Sequence, residues 1–235
     1  MDDRVIAEQI DYYRQRAGEY DDFWARSGQY ALPPDQLSAW RADAREAMEA
    51  VQAWAPGGDV LELACGTGLW TQALSATASS VHAVDAAPEM IALNVARHYR
   101  SGAPSGRVNY ERADLFSWAP VRDSADGVFF GYWHSHVPDE LLAAFWHTVG
   151  VALRPGGTVM LVDSAPRPDA EHDDDSAFAA RHERRTLRDG RRYGVVKRYW
   201  SPERLQETLA ALGWGARTRT TTHGMILLAD VTRSR

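Results

Sequence analysis

Seven consecutive residues, Glu62-Leu63-Ala64-Cys65-Gly66-Thr67-Gly68, set a carboxylate ahead of two closely spaced glycines. Glycine has no Cβ to obstruct a sharp turn or to hold a ligand away from the backbone. A dinucleotide fingerprint counted from Gly66 needs Gly or Ala at position 71, where this chain has Thr71. No lysine follows the turn, as a phosphate-gripping loop requires. The acid at Glu62 suits a ligand carrying an ammonium or sulfonium cation better than one carrying phosphates. Two further carboxylates, Asp85 and Asp114, follow short apolar runs. The first suits acceptance from both hydroxyls of a ribose, the second from the amino group of an adenine. Singly, each aspartate reads as a loop or cap residue. Three acids at successive strand ends after a glycine turn point to a nucleoside.

A second candidate is Gly131-Tyr132-Trp133-His134-Ser135-His136-Val137-Pro138. His134 and His136 have the titration range of a general base. Two residues apart in extended chain, their rings point opposite ways. One at most faces a substrate, and the other is expected to cap the next helix. Glu171-His172-Asp173-Asp174-Asp175 is read as a solvated acidic loop, and no metal is expected.

These residues need a scaffold that brings strand ends together. A helical and aromatic segment through Tyr30 precedes a helix from Pro34 to Trp54, closed by Pro56-Gly57-Gly58. Short apolar strands then alternate with helices. Strands are read at 60–63, 81–85, 108–111, 127–130 and 158–162, with helices at 69–76, 88–98 and 138–153. Such a βαβα succession implies a parallel sheet covered on both faces. Residues 164–190 break the rhythm as an insertion, acidic at first and then basic and helix-like over Arg181–Arg188. An extra strand over Tyr193–Tyr199 follows. The end reads as a helix capped by Ser201-Pro202-Glu203 and an antiparallel pair at 217–222 and 225–231. The expected division is an amino-terminal helical lid (1–54), a cofactor-binding core (55–163), an insertion forming part of an acceptor pocket (164–192) and a carboxyl-terminal segment completing the sheet (193–235).

Glu62 to Gly68 resembles the first motif of class I S-adenosylmethionine-dependent methyltransferases. Asp85 is similar to their second-strand acid, Asp114-Leu115 to their adenine-side pair, and Leu153-Arg154-Pro155-Gly156-Gly157 to the turn before strand five. Ala64 departs from the family, which more often has Gly there. The resemblance implies an α/β, Rossmann-like sheet of seven mostly parallel strands in the order 3-2-1-4-5-7-6, with helices on both faces and S-adenosylmethionine as cofactor. It implies that Glu62, Ala64, Gly66 and Gly68 form the cofactor turn and that Asp85 takes the ribose. Ala86 and Met90 then flank the adenine, Asp114 and Leu115 border its edge, and Phe130 and Gly131 face the methionine portion. Tyr12 to Asp21 resembles the lid of small-molecule members, which makes Arg16 and Tyr20 candidates to close over the cofactor. Tyr132, Trp133 and His182 are candidates to wall the acceptor, and His134, His136 or Tyr20 to act as base. The expected reaction is in-line methyl transfer to a C, N or O atom of a small aromatic acceptor. Phe129 to Pro138 resembles bacterial enzymes of specialised metabolism, some of which methylate an indole carbon; this is a narrower alternative.

The remaining numbers bound the rivals. The net charge of −6 and pI near 5.7 lack the basic balance of a phosphate-gripping protein, which disfavours an RNA methyltransferase and any nucleic-acid partner. Thr71 disfavours a nicotinamide dehydrogenase. A cofactor-binding module without chemistry is the remaining rival. One cysteine, Cys65, allows no intrachain disulfide, and the acidic start lacks an apolar signal core. No apolar run reaches the length of a membrane span, so cytoplasmic residence is expected. The aromatic amino-terminal stretch offers a surface for a second copy, and a homodimer is an expectation.

Overall fold

The computed structural model describes residues 3–102, 106–166 and 181–234. Helix α1 (Asp3–Arg16) leads through short helical turns and α2 (Asp21–Ala25) to α3 (Pro34–Trp54). The sheet then builds as β1 (Asp59–Leu63), α4 (Leu69–Ser75), β2 (Ser80–Asp85), α5 (Pro88–Arg100), β3 (Val108–Arg112), β4 (Ala125–Gly131), α6 (Asp139–Ala152) and β5 (Leu153–Ser164). After it come β6 (Arg181–Thr186), β7 (Arg192–Lys197), α7 (Pro202–Ala211), β8 (Trp214–Thr220) and β9 (Ile226–Arg233).

The main sheet runs β3-β2-β1-β4-β5-β9-β8, with β9 antiparallel to both neighbours. This is the expected seven-stranded order, with β6 and β7 set aside as a separate ribbon. Alternation along each central strand divides the core. Leu61, Leu63, Val128 and Phe130 face the cluster under α6 and α7, while Val60, Phe129, Met160 and Val162 face the cluster under α3 and α4. Pro88 opens α5, and the Ser201 hydroxyl caps α7 by accepting from the Arg204 N–H at 3.2 Å. No helix among the described residues is long and apolar enough to cross a membrane.

The helix expected over Arg181–Arg188 is instead a strand through Thr186, paired residue for residue with β7. Glu183, Arg185 and Leu187 are inward while Arg184 and Thr186 are exposed, a period of two. Because two of the inward residues are charged, hydropathy conceals the alternation. The ribbon is bound to α1. Gln9 accepts from the Val196 N–H at 2.9 Å, and Glu8 accepts from the Gly194 N–H at 2.5 Å. The acidic cluster Glu171–Asp175 lies outside the described residues.

Candidate active site

The turn after β1 is built from left-handed backbone, with φ of 53° at Ala64, 52° at Gly66 and 89° at Gly68. Only glycine adopts this conformation freely, so Ala64 carries steric strain. Asp85, at the end of β2, stitches the turn in place. One carboxylate oxygen accepts from the Gly66 N–H at 2.9 Å and the other from the Ala87 N–H at 2.8 Å. Burial nevertheless raises its pKa. Asp114, beyond β3, accepts from the Phe116 N–H at 3.0 Å.

These elements line a cleft. Ala64, Gly66, Asp85 and Ala86 line one part of it, Met90, Asp114 and Leu115 another, and Gly131 and Trp133 a third. Tyr20 covers the turn, its ring about 3.7 Å from where a Gly66 Cβ would sit. The donor set fits the nucleoside cofactor: two carboxylates aimed into a cleft, an apolar face, and a glycine where the backbone must be approached.

Besides Arg16, which belongs to a larger, adjoining cavity, three expected cofactor residues take other places. Glu62 is buried beneath the turn and accepts from the Thr71 hydroxyl at 2.6 Å, which itself accepts from Asn94 Nδ2 at 2.7 Å. Burial pushes Glu62 up to about 8. Gly68 lines no part of the cleft; a Cβ there would fall 2.2 Å from Asn94 Oδ1, so its bareness serves the approach of α4 to α5. Phe130 is fully buried and packs edge-on against Phe145 and Trp146. Each supports the site from beneath, a role that the linear motif does not separate from contact.

A larger cavity of about 510 Å³ adjoins the cleft. Tyr13, Tyr20, Tyr132 and His136 line both, so these four residues form the aperture between them. Arg16 lines the larger cavity rather than the cleft, together with Arg26, Arg185 and Lys197. It is buried, surrounded by the rings of Tyr12, Tyr20 and Tyr30 at 5.6, 5.1 and 5.4 Å, and donates to the Tyr30 hydroxyl at 3.0 Å. Its Nε has no hydrogen-bond partner, and no carboxylate pairs with it among the described residues. Lys197 Nζ donates to the Ser135 hydroxyl at 2.7 Å and lies 3.3 Å from Asp163. Burial alone raises the Asp163 carboxyl, but Lys197, His136 and the N–H groups of Ser135 and Ser164 hold it below its ordinary value.

The two histidines do face opposite ways. His136 lines the aperture, whereas His134 lines neither space. His134 Nε2 accepts from Trp146 Nε1 at 3.0 Å, and its ring stacks on Phe130. It is thus a core residue and not the expected cap of α6, whose cap position is Pro138 with no side-chain bond. Of the two residues expected to wall the acceptor, Tyr132 lines both spaces, whereas Trp133 lines the cleft and not the larger cavity. His182 pairs with Val196 in the ribbon through its backbone, and its side chain lies outside the described residues. Sequence reading missed Tyr13, Arg26, Arg185 and Lys197. Lys197 carried a signal, being the only lysine in the sequence and closing the apolar run Val195-Val196.

A family model described as a methyltransferase domain matches residues 60–157. In a complex with S-adenosylhomocysteine, DhpI has a structure that matches all of this chain and 99% of its own, at 38% identity and a TM-score of 0.77. Its complex with SAM and HEP gives 40% identity over 97% of each chain and a TM-score of 0.78. The chain belongs to the class I S-adenosylmethionine-dependent methyltransferases. Within that family, a ubiquinone biosynthesis O-methyltransferase of Xanthomonas campestris pv. campestris is 36% identical over 107 residues. That match covers 45% of this chain and 43% of the relative, so the chain aligns with under half the length of the curated relatives it matches. Magnesium protoporphyrin IX methyltransferase of Synechocystis PCC 6803, with bound SAH, shares the methyltransferase fold at a TM-score of 0.65 and 18% identity, over 96% of this chain and 98% of that one. S-Adenosylmethionine is the cofactor.

Proposed function

We propose that this methyltransferase transfers a methyl group to an oxygen of a small acidic acceptor seated in the larger cavity. Arg16 carries the reading. A buried guanidinium without a carboxylate partner is costly, and an incoming anion compensates it. Arg26, Arg185 and Lys197 line the same space, the last two paired with Glu183 and Asp163, so Arg16 is the cation there without a carboxylate among the described residues, while tyrosine rings supply a wall for a flat or unsaturated acceptor body. The Xanthomonas relative is named an O-methyltransferase, and DhpI is complexed with a further component, HEP, beside SAM.

The bound cofactor supplies an electrophilic methyl on a sulfonium sulfur. The protein's part is to align the acceptor and exclude water. Neither candidate base suits proton removal at neutral pH. Burial pushes the Tyr20 hydroxyl up to about 12, and burial together with Lys197 pushes His136 down to about 3. An acceptor that arrives as an oxyanion needs no base, which agrees with the cations around it. An aromatic acid, rather than a neutral phenol or indole, reconciles the ring-lined wall with the charge. Incubation with methyl-labelled cofactor and small carboxylic acids or phosphate monoesters, beside their neutral amides and alcohols, tests this. Label should pass to acids, with the acceptor KM about a hundredfold higher in Arg16→Gln, given that an unpaired buried charge costs about 2–5 kcal/mol. Transfer to neutral indoles or phenols alone contradicts the proposal.

A further inference from the structure

The aperture holds one hydrogen bond whose direction is fixed by its surroundings. His136 Nδ1 lies 2.5 Å from the Val196 carbonyl oxygen, which can only accept, so Nδ1 carries the ring proton. Nε2 is then a lone pair, and the Tyr13 hydroxyl 2.8 Å away must be the donor. Gln9 braces the arrangement, accepting from the Val196 N–H and donating to the His136 carbonyl at 3.3 Å. With its only proton committed to His136, the Tyr13 oxygen offers lone pairs alone to the aperture.

Resting on the assignment of the cleft to S-adenosylmethionine, we propose that the Tyr13–His136 pair makes the aperture selective for the sulfonium form of the cofactor. Tyr13 turns an oxygen that cannot donate toward the polarised methyl, and His136 is a positioning residue that acts through Tyr13. Methyl hydrogens next to a sulfonium carry positive charge and are attracted to such an oxygen by weak C–H···O contacts. A free tyrosine hydroxyl could instead turn its O–H toward the cation and oppose it. The pair is held neutral from every side. Burial first, then Lys197 on β7 and Arg185 on β6, disfavours an imidazolium, which Asp163 on β5 and the Val196 carbonyl only partly offset; burial likewise keeps the Tyr13 hydroxyl protonated against the opposing charge of Arg16 on α1.

The test is calorimetric binding of S-adenosylmethionine and S-adenosylhomocysteine to the intact chain, its Tyr13→Phe variant and its His136→Phe variant. Wild type should prefer the sulfonium ligand by about two- to fivefold, the range of one such contact. Tyr13→Phe should bring the ratio to about one while leaving S-adenosylhomocysteine affinity unchanged, and that unchanged affinity also reports an intact fold. His136→Phe should lower the ratio at least as far, although Tyr13 is retained. The wild-type ratio should be constant from pH 6 to 9. A ratio unchanged in Tyr13→Phe, or one that collapses with a midpoint between pH 6 and 8, overturns the proposal. If wild type binds neither ligand, the cofactor assignment itself fails; equal binding of both fails the pair alone.

Discussion

The cleft and the cavity beside it are separated by four side chains and assembled in opposite ways. Beneath the amino-terminal side chains that cover it, the cleft draws on strand ends that succeed one another between Leu63 and Gly131, and its fixed points are backbone N–H groups, two aspartates and left-handed turns. The cavity joins α1, the end of β5, the β6–β7 ribbon and the turn before β9, and its fixed points are buried charges. A site made from consecutive elements announces itself as a motif. A site made from distant elements is a product of the tertiary fold, and its stability rests on charge pairs that water would otherwise solvate.

That contrast is broken most severely at Lys197. Lys197→Ala leaves Asp163 fully buried without its counter-ion, a loss of about 3–5 kcal/mol. Urea unfolding should show this, with Asp163→Asn in the same chain restoring part of it. A stability loss below about 1 kcal/mol would mean that water reaches the pair.

Acidity should next separate the groups that flank the two regions, the buried histidines after β4 and Glu62 beneath the cleft. Burial holds folded His134 at about 4 and His136 at about 3, against about 6.5 unfolded. The unfolded chain therefore binds their protons first. Their stability contribution is present above pH 6.5 and declines on acidification, by up to about 1.4 kcal/mol per pH unit for each histidine. Glu62 has the reverse sign. Its folded pKa of about 8 lies above the unfolded value, so its contribution is present at low pH and is lost as pH rises toward 8. Unfolding curves at pH 5 and 8 should show His134→Gln losing less than wild type on acidification and Glu62→Gln losing less on the alkaline side. The smallest effect belongs to the turn. Ala64→Gly relieves a φ of 53° and should gain about 1 kcal/mol in thermal unfolding, with S-adenosylhomocysteine affinity kept.

The legibility of the chain follows the same division. The parallel core could be read because apolar runs, glycine turns and proline starts are local signals. Asp85, Met90 and Asp114 stand where their spacing put them, since each follows a strand end within a few residues. Glu62 and Gly68 of the first motif, and Phe130 near the end of β4, lie under the site, because a linear pattern does not say which residues meet the ligand and which lie beneath it. In the ribbon, β6 reads as a helix because inward charges mask its alternation, while β7 is legible as the strand expected over Tyr193–Tyr199. Arg16 was recognisable as a candidate, but its place in the larger cavity depends on how α1 crosses the aperture. Tyr13, Arg185 and Lys197 meet only when α1 and the ribbon pack together.

The division of labour between the two spaces is tested most directly by S-adenosylhomocysteine affinity, measured by calorimetry in Asp85→Ala and Arg16→Gln side by side. With Asp85 proposed to accept from both ribose hydroxyls, loss of those two bonds should weaken binding in the first about a hundredfold. The second should stay within about threefold of wild type. Unchanged affinity in Asp85→Ala, or an equally steep loss in Arg16→Gln, would contradict the account.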